Sequence, residues 1–146
     1  MLTAALTDLG EPDYRAKQVW RWLASGVAGY DEMTDLPLSL RTQLAERVPL
    51  SSLTVVDEAH ASDGTVKVLL NTTDGRPVEA VLMVYRDGRR SLCVSSQSGC
   101  PLTCAFCATG RMRFGRNLTA SEILDQALHF RRLGAVGRVC LVHDGQ

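Results

Sequence analysis

Hydrophobic positions in the first fifty residues recur at helical spacing. Between residues 14 and 24 apolar side chains follow one another at steps of three and four, namely Ala16, Val19, Trp20 and Leu23. Pro12 stands before this run and Gly26 after it, as is typical of the two ends of a helix. A second run begins after Pro37 and continues to about Val48. The pattern therefore predicts two short helices.

Strand-forming residues dominate the next part of the chain. Three segments, 66–70, 78–84 and 91–95, are rich in β-branched and other apolar residues and are separated by Asp-Gly turns at 74–75 and 87–88. This arrangement predicts an antiparallel meander. Glu79 is the exception in its strand, and a lone glutamate on a strand most often faces solvent.

Helical spacing returns after residue 118. Thr119-Ala-Ser-Glu122 has the form of a capping box, and Gly134 is a typical helix end. The predicted apolar face consists of Ile123, Leu124, Ala127, Leu128 and Phe130. Residues 138–142 then predict another strand. Strand, loop, helix and strand in this order are the opening of a (β/α) barrel, in which chemistry is placed on the loops after the strands.

We therefore predict an α/β chain in three parts. Residues 1–50 form a small helical N-terminal accessory domain, residues 51–90 a short antiparallel β meander, and residues 91–146 the incomplete start of a barrel. The length of 146 residues and the hydrophobic fraction of 45% suit a globular protein. The sequence shows no membrane-spanning run and no signal peptide, so we expect a cytoplasmic protein.

Three cysteines, Cys100, Cys104 and Cys107, lie in the loop that follows the segment 91–95. Thiolates ligate iron-sulfur clusters, and three of them can hold a [4Fe-4S] cube while the remaining iron stays open to a small molecule. A radical-generating use of S-adenosylmethionine requires such an open iron.

Other uses of these cysteines are weighed against the cluster. A structural zinc site needs four ligands, and the nearby chain offers no fourth Cys or His at the customary distance. A disulfide is disfavoured because the chain has the features of a protein from a reducing compartment. Packing explains Cys140, which stands between Val139 and Leu141, but it does not explain three cysteines in a loop with Gly99 and Pro101.

Charge is informative only in its distribution. The formal net charge is +0, which gives no nucleic-acid signal. The stretch around the cysteines is locally basic, with Arg86, Arg89, Arg90, Arg111, Arg113 and Arg116 against Asp87. Such a stretch is able to neutralise phosphates, although surface arginines more often form a solvated face.

The residues around the cysteines resemble a known family. Cys-x-x-x-Cys-x-aromatic-Cys is similar to the signature of the radical S-adenosylmethionine superfamily. Further runs resemble the RlmN/Cfr group of RNA adenine methyltransferases, namely Leu92-Cys-Val-Ser-Ser-Gln-Ser-Gly-Cys100, Phe114-Gly-Arg-Asn-Leu118, Tyr14-Arg-Ala-Lys-Gln-Val-Trp-Arg-Trp22 and Met33-Thr-Asp-Leu-Pro37. The resemblance covers nearly the whole chain.

The resemblance implies a fold, a reaction and roles for single residues. The last part of the chain becomes the opening of a radical S-adenosylmethionine partial barrel, with a [4Fe-4S] cluster on the three loop cysteines and S-adenosylmethionine on the open iron. Phe106 stands beside the cofactor's adenine. In this family a distant cysteine is methylated, its methyl group becomes a carbon radical, and that radical adds to C2 of an adenine in large-subunit rRNA or tRNA. Cys93 matches the cysteine that frees the product as a disulfide forms, and Glu79 matches the acceptor of the C2 proton.

The resemblance also raises expectations about partners and about the end of the chain. We expect an electron donor such as flavodoxin, a monomer and no membrane partner. Family members continue the last strand into a Gly-Glu-Pro segment, whereas this sequence reads Val142-His-Asp-Gly-Gln146. We therefore expect a truncated or frameshifted gene and a chain that is inactive by itself. An RNA-binding module without catalysis, and a radical enzyme with another substrate, are the alternatives. The N-terminal domain either helps to hold RNA or serves as a packing accessory.

Overall fold

A computed structural model describes residues 2–99 and 114–134 together with the backbone of residues 140–143. The chain divides into two compact units. One comprises residues 1–51 and 128–135, and the other residues 52–127 and 136–146. Over the described ranges, no helix is both long enough and apolar enough to cross a membrane.

The first unit is helical. Its elements are α1 (Leu2–Asp8), α2 (Tyr14–Ser25), a 3-10 turn (Tyr30–Glu32) and α3 (Leu38–Arg47). Helices α2 and α3 confirm the two predicted helices, and Gly26 ends α2 in the left-handed conformation. Helix α1 was missed because seven residues are too short to show a helical period.

Buried side chains from all these elements form one apolar cluster. Its members are Leu6, Val19, Leu23, Val27, Tyr30, Met33, Leu36, Leu40, Leu44 and Val48. Trp20, which belongs to the apolar run that predicted α2, is 45% exposed. Trp22 packs on the cluster instead and donates its indole N–H to Asp35. Trp20 and Trp22 flank the buried stripe of α2 on opposite sides, and the acceptor of Trp22 comes from the loop before α3.

The second unit is built on a mixed sheet. In chain order the described strands are β1 (Leu53–His60), β2 (Val66–Thr72), β3 (Pro77–Val84), β4 (Arg90–Val94), β5 (Gln97–Ser98), β6 (Arg116–Asn117) and β7 (Cys140–His143), and helix α4 (Ala120–Arg132) lies between β6 and β7. Within the described residues the main sheet has the order β1-β2-β3-β4-β7. Its first pairs are antiparallel, whereas β4 and β7 are parallel.

Strands β2, β3 and β4 confirm the predicted meander, and β7 confirms the strand expected near the end of the chain. The parallel pair of β4 and β7, with α4 between them in sequence, is the expected opening of an α/β barrel. Strand β1 was missed because its side chains are mostly exposed, so its sequence lacks the alternation of a half-buried strand.

The two faces of the meander differ sharply in burial. One face is fully covered and carries Val66, Val68, Leu70, Val78, Ala80, Leu82, Leu92 and Val94. The opposite face, called the open face below, carries Lys67, Leu69, Glu79, Val81 and Cys93, which are exposed or half-buried. Because successive side chains alternate between faces, the pairing register fixes which residues meet on the open face.

Helix α4 confirms the predicted capping box. The backbone N–H of Thr119 donates to Glu122 Oε2 at 2.8 Å, and the Glu122 N–H donates to Thr119 Oγ1 at 3.3 Å. Leu124, a member of the predicted apolar face, is 42% exposed. The polar residues Asp125 and Gln126 are buried instead, because both find hydrogen-bond partners there.

Candidate metal centre

The predicted cluster ligands Cys100, Cys104 and Cys107, and Phe106 beside them, lie outside the described residues. The residues on either side of this segment are described, and they meet. Gln97 pairs with Asn117 and Ser98 with Arg116 in the antiparallel ribbon of β5 and β6.

Two further backbone hydrogen bonds extend this ribbon. The Gly115 N–H donates to Ser98 O and the Leu118 N–H donates to Ser96 O, each at 2.8 Å. We call residues 96–98 and 115–118 the stem. The cysteine segment therefore leaves and re-enters the described structure at one place.

The stem lies at the carboxyl end of β4. Ser98 Oγ donates to Pro77 O at 3.0 Å, and Ser95 Oγ donates to Glu79 O at 2.8 Å, so both residues are tied to the start of β3. The turn between β2 and β3 lies at this same end of the sheet because the strands alternate in direction. The carboxyl end of a parallel strand is where α/β folds carry their functional loops.

Gln126 attaches helix α4 to the carboxyl end of β4. Its side chain is fully buried, accepts from the Ser95 N–H at 2.8 Å and donates to Ser95 O at 2.9 Å. Asp125 beside it accepts from both the N–H and the hydroxyl of Ser52 at 2.6 Å. Buried polar side chains with such complete partners hold one unique packing.

Arg116 joins three elements through its guanidinium group. Nε and Nη2 donate to Asp74 at 3.1 and 2.7 Å, and Nη1 and Nη2 donate to Glu122 at 2.8 and 2.7 Å. Nη1 also donates to Asn117 O at 3.1 Å. Asp74 belongs to the β2–β3 turn and Glu122 to the first turn of α4, so Arg116 in β6 is bound to both.

The charges at this junction stabilise one another. The hydrogen bonds from Arg116 lower the pKa of Glu122 from 4.5 to about 2, and the N–H and hydroxyl of Thr119 act in the same direction. The pKa of Asp74 also lies well below its ordinary value, because Arg116, Thr72 and Arg76 donate hydrogen bonds to it. Both carboxylates in turn raise the pKa of Arg116. All three groups are therefore charged over the whole neutral range.

Glu79 and Cys93 share the open face of the sheet. Val81 pairs with Cys93, so Glu79, two residues before Val81, is a diagonal neighbour of Cys93, at roughly 7 Å for such pairs. Cys93 carries a half-buried thiol. Glu79 is exposed and forms an ion pair with Lys67 Nζ at 2.7 Å.

The predicted basic stretch does not form one surface in the described structure. Arg86 and Arg89 lie on the exposed β3–β4 turn and Arg90 begins β4, at the end of the meander opposite the stem. Arg116 lies at the stem and is bound by two carboxylates. Arg111 and Arg113 lie outside the described residues.

The donor chemistry of the chain fits an iron-sulfur cluster. Over the described ranges, no group of three His, Cys, Asp or Glu side chains is placed to hold a metal ion. The cysteine segment, which lies outside those ranges, carries three thiolates, the ligand type of iron-sulfur clusters.

Sequence reasoning missed the partners that support the stem. Asp74 was assigned only to a turn, Gln126 received no role, and Arg116 was counted in a basic surface. The capping-box motif did identify Glu122, but its ion pair with Arg116 depends on tertiary contacts between elements that are distant in sequence.

Comparisons with known proteins identify similar sequences. Residues 1–50 match the family model described as the ribosomal RNA large subunit methyltransferase N-terminal domain. The chain is 47% identical over 132 residues to a probable dual-specificity RNA methyltransferase RlmN of Heliobacterium modesticaldum, covering 87% of this chain and 34% of that protein. It is 50% identical over 139 residues to the dual-specificity RNA methyltransferase RlmN of an Anaeromyxobacter species, covering 94% of this chain and 35% of the relative.

A solved structure is similar as well. The crystal structure of a radical SAM methyltransferase from Sphaerobacter thermophilus matches with a TM-score of 0.81 and 46% identity, covering 94% of this chain and 41% of that one. The chain spans about a third of the length of the curated relatives it matches.

Proposed function

Because its first fifty residues are an RlmN N-terminal domain and nearly all of it aligns with RlmN proteins, the chain belongs to the RlmN family, and we propose that it serves radical S-adenosylmethionine methylation of adenine C2 in RNA. The substrates proposed are large-subunit rRNA and tRNA. The observation that carries the proposal is the cysteine triplet on a stem at the carboxyl end of β4, in a chain similar to a radical SAM methyltransferase.

In this proposal Cys100, Cys104 and Cys107 hold a [4Fe-4S] cluster, and Phe106 lies beside the adenine of bound S-adenosylmethionine. The bound cluster and cofactor supply a radical that activates an otherwise inert methyl group. The residues of the chain bind the reacting groups and keep other molecules from reacting with the radical. Glu79 accepts the adenine C2 proton. Cys93 attacks the sulfur that carries the product, so that a disulfide forms while the bond between that sulfur and the methyl-derived carbon breaks and its electron pair stays with the product.

The open face supports the last two roles. Its diagonal pair puts a carboxylate and a thiol on one surface, at the end of the sheet nearest the stem. Lys67 holds the Glu79 carboxylate in the resting chain, so proton transfer requires this exposed ion pair to open, which costs little.

Further features are proposed from the family. An electron donor such as flavodoxin, a cytoplasmic location and a monomeric state accompany this chemistry.

The first test is anaerobic reconstitution with iron and sulfide. We expect about four irons per chain, since a [4Fe-4S] cluster forms on three thiolates. Single changes of Cys100, Cys104 or Cys107 to Ala remove the iron. Cys93→Ser and Cys140→Ser serve as matched controls and keep it. Iron loss that is equal for all five variants, or a wild-type chain that is folded and binds no iron, contradicts the proposed centre.

A second test addresses Cys93 and Glu79. Residues 1–143 replace the aligned part of the Anaeromyxobacter relative, and methylated adenine is measured by mass spectrometry. Cys93→Ser leaves protein covalently joined to RNA, and Glu79→Gln lowers the rate about a hundredfold, the usual size of general-base catalysis. His60→Gln on the exposed strand β1 is the control. Full activity of both site variants would refute the two roles.

A further inference from the structure

The guanidinium of Arg116 sits where three separate elements converge beside the cysteine segment. Its five N–H groups all donate, to Asp74, Glu122 and Asn117 O. This is the full donor capacity of an arginine side chain. A lysine at this position keeps the charge but has a single nitrogen, so it cannot bind two carboxylates with paired hydrogen bonds.

The two carboxylates that bind Arg116 are themselves held in place by burial or by further hydrogen bonds. The Glu122 side chain is 5% exposed, so its charge would be costly without Arg116. Asp74 is held from the other side by Thr72 Oγ1 at 2.7 Å and Arg76 Nε at 2.9 Å.

Gly115, next to Arg116 in the stem, lies close to the Arg76 side chain. A Cβ placed on Gly115 would come within 2.5 Å of Arg76 Nη1. The close approach of the Arg76 side chain therefore depends on the absence of a side chain here. The Arg76 side chain therefore lies close against the stem backbone at Gly115.

We infer that Arg116 is a positioning residue for the cysteine segment. By binding the β2–β3 turn and the first turn of α4 at once, it fixes the stem from which that segment departs. Without this fork, β5 and β6 keep only a short ribbon of backbone hydrogen bonds, which is a marginal structure by itself. The consequence for cluster binding rests on the proposed function, whereas the consequence for the stem does not.

The test compares Arg116→Gln and Arg116→Lys with Arg86→Gln, a control on the exposed β3–β4 turn. Amide hydrogen exchange of Gly115 and Leu118 reports on the stem, and that of Val68 and Ala80 reports on the sheet. Loss of charged hydrogen bonds is expected to speed exchange in the stem by about tenfold or more in Arg116→Gln. Arg116→Lys gives a smaller increase, while exchange in the sheet and in the control is unchanged.

Two further variants distinguish the effect of the Arg116 ion pairs from the effect of helix capping. Glu122→Gln retains a capping-box residue but removes one carboxylate charge, and Asp74→Asn removes the other. Each is expected to loosen the stem less than Arg116→Gln. Stem exchange that stays at the wild-type rate in Arg116→Gln overturns the inference, and so does exchange that rises equally in stem and sheet. If the amides of the stem exchange at the wild-type rate in Arg116→Lys, the planar guanidinium group is not required.

Release of iron to a chelator from the reconstituted chain gives the second readout. We expect about tenfold faster release from Arg116→Gln, since the loosened stem exposes the ligands more often. Release at the wild-type rate contradicts the link between stem and cluster. If the wild-type chain binds no iron, the proposed function fails, and the exchange measurement alone decides the role of Arg116.

Discussion

At the scale of single residues, the stem depends on one charge that is almost completely buried, the Glu122 carboxylate, and on two partly exposed charges, Arg116 and Asp74. Glu122 is buried in the first turn of α4 and is still ionised, because it accepts hydrogen bonds from Arg116 and from Thr119. A buried carboxylate with partners of this kind stabilises the fold only while it remains charged.

Acid is therefore expected to weaken the second unit through Glu122. Its folded pKa of about 2 lies below the ordinary 4.5, so its contribution is present above about pH 4.5 and is lost as the pH falls toward 2. Asp74, whose pKa is also lowered, acts in the same direction, and Arg116, whose pKa is raised, stays charged throughout. Melting temperatures of the wild type and Glu122→Gln between these pH values test this. The variant should show the shallower dependence, and equal slopes would contradict it.

At the scale of elements, two glycines offer a matched comparison in the helical unit. Gly10 and Gly26 each follow a helix with positive φ, at 72° and 90°. A Cβ at Gly10 would meet nothing within 4 Å, whereas a Cβ at Gly26 would come within 2.9 Å of the backbone oxygen of Arg131. The helix end at Gly26 therefore depends on both backbone conformation and space.

Substitution by alanine separates these two effects. Gly10→Ala should lower the free energy of unfolding by about 1 kcal/mol, the usual cost of a left-handed non-glycine residue. Gly26→Ala should cost clearly more, because the backbone around Arg131 must also move. Urea unfolding of both variants measures the difference. If the two variants lose the same free energy of unfolding, the close approach of Gly26 to Arg131 does not contribute to the cost.

The elements also show how far sequence reasoning reaches. Helices α2, α3 and α4 and strands β2 to β4 were predicted, because each has a periodic pattern and recognisable ends. Strand β1 was not, because an exposed edge strand has no buried face to produce alternation. The burial of Asp125 and Gln126 on α4 was not predicted either. These polar side chains are buried because they bind partners far away in sequence, at Ser52 and Ser95.

At the scale of the whole molecule, the chain combines an RlmN N-terminal domain with the opening of a radical SAM methyltransferase fold. The spacing of three cysteines supplied the proposed cluster ligands, and the resemblance supplied the roles of Cys93 and Glu79. The structure adds the stem, the shared open face of Glu79 and Cys93, and the binding of Arg116 by two carboxylates. These depend on tertiary pairing, which no local pattern specifies.

The central claim is that the cysteine segment on this stem supports radical cleavage of S-adenosylmethionine. The most direct measurement is the formation of 5′-deoxyadenosine by the reconstituted 146-residue chain under anaerobic conditions, with dithionite as the electron source. We predict product from the wild type and none from Cys104→Ala. A chain that holds about four irons and forms no 5′-deoxyadenosine would contradict the account.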